Sequence, residues 1–137
     1  MGFTPSEVPH HRELDFEPGH GGACRAGLAF ARQALTDWQL TAQAGDALLV
    51  AAELLANAVK HAGGPTRMSV DHTDGLLRIA VTDPSPAPPH RRRHRPESIG
   101  GHGLFLVDHL ATQWGTLPNG IGKTVWADLA LPPQADP

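Results

Sequence analysis

Residues 48–62 read LLVAAELLANAVKHA, and the spacing of the polar residues in this stretch decides how the rest of the chain is understood. Glu53, Asn57 and His61 recur at every fourth position. At 3.6 residues per turn this stacks a carboxylate, a carboxamide and an imidazole along one face of a helix. Leu48, Ala51, Leu55, Ala58 and Ala62 recur at threes and fours on another face, the stripe a helix turns toward a core. An isolated E-x-x-x-N spacing is what the wet side of any amphipathic helix shows, so its meaning depends on the surrounding chain.

Working outward, the polar residues 41–46 precede this helix, and Gly63, Gly64 and Pro65 stop it in the pattern of a helix end. Two strands are expected next, residues 66–72 and 76–82, with Met68, Val70, Leu77, Ile79 and Val81 alternating inward. Thr73, Asp74 and Gly75 join them, and Asp-Gly between strand-like runs is a strong hairpin signal. Residues 84–96 hold five prolines and the basic run Arg91, Arg92, Arg93, His94, Arg95, which excludes a helix or a central strand. A loop of this length inside one domain points to function or disorder. Gly103 begins a third helical spacing through Leu104, Val107 and Leu110, and residues 114–117 and 123–131 read as a closing hairpin around Asn119 and Gly120.

Upstream, residues 13–17 alternate with Leu14 and Phe16 on one side, as a half-buried strand does. Residues 23–38 then carry Ala23, Gly27, Phe30, Ala34 and Trp38 at helical intervals, with Arg25 and Arg32 outward. Residues 1–11 show no periodicity and read as a flexible N-terminus, residues 12–131 as one domain, and residues 132–137 as a tail. The order strand, helix, helix, hairpin, loop, helix, hairpin lacks the alternation of a doubly wound parallel sheet. It predicts an α+β fold with a layer of helices packed on one mostly antiparallel sheet.

Composition narrows the classes further. A chain of 137 residues can bury roughly 68–70% of its unfolded surface and needs no staples. The single Cys24 excludes an internal disulfide, and its Ala and Gly neighbours suit a small buried hydrophobe. A net charge of -3 and a pI near 6.3 give no overall electrostatic case for nucleic acid or an anionic membrane as partner. Without an apolar leader or a run of 18 apolar residues, a cytoplasmic location is expected. His10, His11 and His20 have neither cysteine nor carboxylate at ligand spacing and read as solvated histidines.

Three stretches in order give the helix its context: E-L-L-A-N-A-V-K-H-A at residues 53–62, Asp83 with Pro84, Ser85 and Pro86, and G-G-H-G-L at residues 100–104. Together they resemble the GHKL ATPase superfamily, and within it the anti-sigma-factor serine/threonine kinase branch. The resemblance covers residues 12–131 and implies the Bergerat ATP-binding fold, a two-layer α/β sandwich whose sheet is mostly antiparallel and mixed, with ATP and Mg²⁺ as ligands. A P-loop, G-x-x-x-x-G-K-[ST], is absent.

The resemblance assigns the magnesium to Asn57, whose carbonyl oxygen suits a hard cation. Glu53, one turn earlier, is the candidate general base. It makes Asp83 the acceptor for the adenine amine, and it makes Gly101, Gly103 and Leu104 part of the box that closes an ATP lid. Glycine backbone before a helix N-terminus can indeed cradle phosphate. Gly122, Lys123 and Thr124 resemble the last superfamily motif, with Thr124 near adenine and Asp83. Asp83 departs from the D-x-G-x-G pattern, because no glycine follows it. The basic run 91–95 falls in the lid, where it reads as a solvated loop, a phosphate contact or a contact to an acidic protein.

The activity implied is phosphorylation of a serine or threonine on an antagonist (anti-anti-sigma) protein while a sigma factor is sequestered. A homodimer is left open. Two alternatives stand beside it, a non-catalytic ATP-dependent protein-binding switch and an ATP hydrolase.

Overall fold

The computed structural model describes residues 10–17, 21–86 and 102–131. In chain order the elements are β1 (His10–Asp15), α1 (Ala23–Asp37), a 3-10 turn (Thr41–Gln43), α2 (Ala44–Ala62), β2 (Arg67–Thr73), β3 (Leu76–Asp83), α3 (His102–Leu110), β4 (Gln113–Asn119) and β5 (Gly122–Ala130). The strands form one sheet in the order β1-β2-β3-β5-β4. Every neighbouring pair is antiparallel, so the described sheet has no parallel pair where a mixed one was expected.

The β2–β3 hairpin turns on two residues only. Asp74 and Gly75 have φ of 49° and 79°, the left-handed pair that matches the twist of the flanking strands. Thr73, expected in the turn, is instead the last rung of β2, opposite Leu76. Strand alternation puts Met68, Val70, Leu77, Ile79, Val81, Val125, Ala127 and Leu129 on the face covered by helices, all buried.

α2 is the middle of the helical layer and packs against α1, α3 and the sheet. Its buried residues are Ala47, Val50, Ala51, Leu54, Leu55 and Ala58. This arc is wider than the expected stripe, in which Leu48 and Ala62 proved only half-buried, because three neighbours cover the helix instead of one. The window Thr41–Ala62 is apolar and long enough to cross a membrane, yet Ala47, Val50, Ala51, Leu54, Leu55 and Ala58 belong to this core, while Leu49 and Val59 are exposed. The helix ends on Gly63 in the left-handed region (φ 76°), and the Gly63 and Gly64 amides both donate to the Ala58 carbonyl.

α1 crosses α2 at Gly27. A Cβ there would lie 2.6 Å from Leu55 Cδ1 and 3.3 Å from Met68 Sδ, and both side chains are fully buried. Gly27→Val should therefore destabilise the domain by about 1–3 kcal/mol, the cost of overpacking. Denaturant titration reads this, and an unchanged midpoint would show that the helices do not meet there.

β1 starts at His10, three residues before the strand expected from alternation, and ends at Asp15. Side-chain contacts that hydropathy does not report hold the early residues. His10 stacks on Trp38 and on His72, its partner across the ladder. His11 bonds to Asp71 and Glu13, which raise its pKa above the ordinary histidine value, whereas burial and the adjacent His10 lower that of His72. At the opposite edge of the sheet, β4 carries Pro118. An edge strand tolerates a residue that cannot donate to a ladder.

Candidate functional site

Chain reach brings the end of α2 to the end of β3. Residues 63–66 can span at most roughly 14 Å, so β2 must begin close to the C-terminal end of α2. There Arg67 pairs with Thr82, and the Thr66 amide donates to the Thr82 carbonyl at 2.7 Å. The polar ridge of α2 thus climbs toward the end of the sheet where Asp83 stands. On that ridge Glu53 and Asn57 are half-buried and His61 is exposed.

Asp83 is in phase with Leu77, Ile79 and Val81 and so faces the helices, buried at 2% exposure. Its register partner on β5 is Lys123, also buried, whose Nζ lies 3.0 Å from Asp83 Oδ1. The same ammonium donates to the Ser85 carbonyl at 3.2 Å, and the Ser85 amide donates to Asp83 Oδ1 at 2.9 Å. Carboxylate, ammonium and turn form a closed triangle. Its strands approach so closely that a Cβ on Gly122 would sit 2.2 Å from the Asp83 carbonyl oxygen. Both bonds to the carboxylate use Oδ1, and among the described residues none is made to Oδ2.

Thr124 lies elsewhere. It pairs with Thr82 on the face of the sheet turned away from the helices, where the two hydroxyls are 2.7 Å apart and Asn119 Nδ2 donates to Thr124 at 3.2 Å. The residue beside Asp83 on the helix side is Lys123, a member of the last motif to which the resemblance gives no role of its own. Strand phase could have found it, since Lys123 precedes the inward Val125 by two, as Asp83 follows the inward Val81 by two. The outward face continues through Trp126, which lies against Gly115 and under the Arg78 guanidinium at 4.2 Å. Arg78 in turn grips Asp128 through Nε at 2.7 Å and a second nitrogen at 3.0 Å, which holds that carboxyl below the usual range.

The glycine box is described in part. Gly103 and Leu104 belong to the first turn of α3, with Leu104 at 4% exposure, while Gly101 and the basic run 91–95 lie outside the described residues. Among the described residues no group of three or more His, Cys, Asp or Glu side chains is arranged to hold a metal. The ridge offers instead one amide oxygen at Asn57 and one carboxylate a turn away at Glu53. Such hard oxygen donors fit Mg²⁺, which is reluctant to shed its waters and takes only one or two protein ligands with phosphate.

Comparison with known proteins bears on the family and the fold. The family model described as histidine kinase-like ATPase domain matches residues 22–127. No curated protein matches the chain. Among solved structures, the RsbU and RsbW domains of a Mycobacterium tuberculosis protein share the fold at a TM-score of 0.61 and 20% identity. That match covers 90% of this chain and 32% of the other, so the chain spans about a third of its length.

Proposed function

We propose that this chain, which belongs to the histidine kinase-like ATPase domain family, binds Mg·ATP and acts as a regulator of the anti-sigma-factor serine/threonine kinase type. It would hold a sigma factor and phosphorylate a serine or threonine of an antagonist protein. The observation that carries the reading is the buried Asp83, fixed at the sheet end toward which the Glu53 and Asn57 ridge rises. In this reading Asp83 accepts from the adenine amine, and Asn57 contributes an oxygen to the magnesium. In the same reading the backbone amides of the Gly101, Gly103 and Leu104 box are the contacts to phosphate. The place beside Asp83 that the resemblance gives Thr124 goes to Lys123.

Magnesium, when bound, neutralises phosphate charge. Glu53 takes the proton of the attacking hydroxyl on its carboxylate, and as a positioned base supplies about 10² to 10⁴ in rate. Specific observations also favour a second reading, a binding switch without transfer. The turn after Asp83 is closed by Ser85 and Lys123, with none of the glycines that let backbone approach a nucleotide. Incubation with γ-labelled ATP and a candidate antagonist distinguishes these readings. Label on the antagonist supports the kinase, label as free phosphate a hydrolase, and ATP bound with label unmoved the switch.

Nucleotide choice follows from the same carboxylate. ATP should bind and GTP should not, because guanine sets an acceptor oxygen where adenine has its amine. Asp83→Asn should weaken ATP binding by about 1.5–3 kcal/mol, the contribution of a hydrogen bond to a charged group. Equal affinity of the unaltered protein for ATP and GTP in calorimetry would remove Asp83 from the base site.

A further inference from the structure

We infer that Lys123 is a second base-reading residue, donating to the adenine ring nitrogen N1 while Asp83 accepts from the exocyclic amine. The inference rests on the reading of Asp83 given above and adds to it a specificity-determining residue.

An ammonium carries three hydrogens. Two of the Lys123 hydrogens are used, on Asp83 Oδ1 and on the Ser85 carbonyl. For the third, no acceptor is present among the described residues. A buried donor left without an acceptor is costly, and a lysine side chain at 5% exposure has little water to turn to. Asp83 complements it, with Oδ1 doubly bonded and Oδ2 unused by any described residue. One spare acceptor and one spare donor therefore stand side by side at the sheet end. Adenine offers the matching edge, an amine hydrogen next to a bare ring nitrogen. Guanine offers the reverse order, an oxygen next to a protonated nitrogen.

The pair cannot exchange its two roles. Lys123 is anchored both to the carboxylate and to the Ser85 carbonyl, and Asp83 is pinned by the Ser85 amide. A nucleotide with the reversed edge would set acceptor against acceptor and leave the ammonium hydrogen facing a donor. A lysine of this kind is more than a counter-ion for Asp83, since a counter-ion alone would be indifferent to the base's N1.

The test uses two single-atom changes in the ligand, on the full unaltered chain with Mg²⁺, so that folding of a variant is not at issue. Calorimetry compares ATP, 1-deaza-ATP (N1 replaced by C–H) and purine riboside triphosphate (amine removed). Each analogue is expected to bind about 10- to 100-fold more weakly than ATP, one charged hydrogen bond apiece. Lys123→Met, where melting shows it folded, should bind ATP and 1-deaza-ATP alike.

If 1-deaza-ATP binds the unaltered protein as tightly as ATP while the purine analogue is weak, Lys123 does not read the base and the assignment of Asp83 survives. If both analogues match ATP, neither residue faces adenine. If no nucleotide binds, the proposed function and this inference fall together.

Discussion

Glu53→Gln should bind Mg·ATP like the unaltered protein and transfer phosphate about 10² to 10⁴ times more slowly. The amide keeps the size and the hydrogen-bonding reach of the side chain but cannot take up a proton at neutral pH. Because the proton is taken only as transfer proceeds, the loss falls on the rate and spares affinity. Asn57→Ala, one turn along the same ridge, should do the opposite. It removes the oxygen offered to the metal, so nucleotide affinity should lose its magnesium dependence and every later activity with it. Single-turnover transfer and calorimetry on the two variants separate the roles. A Glu53→Gln protein that transfers at the original rate would reduce Glu53 to a surface residue of an amphipathic helix. Transfer by neither variant nor parent would favour the switch.

Lys123→Met is expected to destabilise the fold by about 3–5 kcal/mol, the cost of stranding a buried charge. Asp83 is 2% exposed, and in this variant it loses its one cationic partner among the described residues. The double variant Asp83→Asn, Lys123→Met removes both charges and should recover most of that loss, since a neutral pair in the same volume leaves no uncompensated ion. Denaturant midpoints of the two single variants and the double variant give the coupling directly. A Lys123→Met protein as stable as its parent would show that the ion pair is not buried as described.

Much of this architecture was legible in the residues. The Gly63 end of α2, the Asp74-Gly75 turn and the alternation of Met68, Val70, Leu77, Ile79 and Val81 are local signals, and local signals survive folding. What escaped were properties set by neighbours distant in sequence. The width of the buried arc on α2 depends on α1 and α3 arriving on its flanks, and the early start of β1 depends on His10 meeting Trp38 and His72. At the candidate site, Asp83 is singled out by the resemblance, and the structure buries it at the end of β3. The partnership of Lys123 with Asp83 is not visible in the motif, because the pairing of β3 with β5 joins residues forty positions apart. A reading of strand phase would have placed Lys123 on the helix side with Asp83, and Thr124 on the other.

The sheet's two outer strands bear on the question of self-association. An open strand edge is a template on which another chain can hydrogen-bond, and a five-stranded sheet exposes two. Here β4 interrupts its ladder with Pro118, which has no amide to offer. On β1, His11, Glu13 and Asp15 set charge along the rim. Both described rims are thereby poor templates for the addition of a further strand.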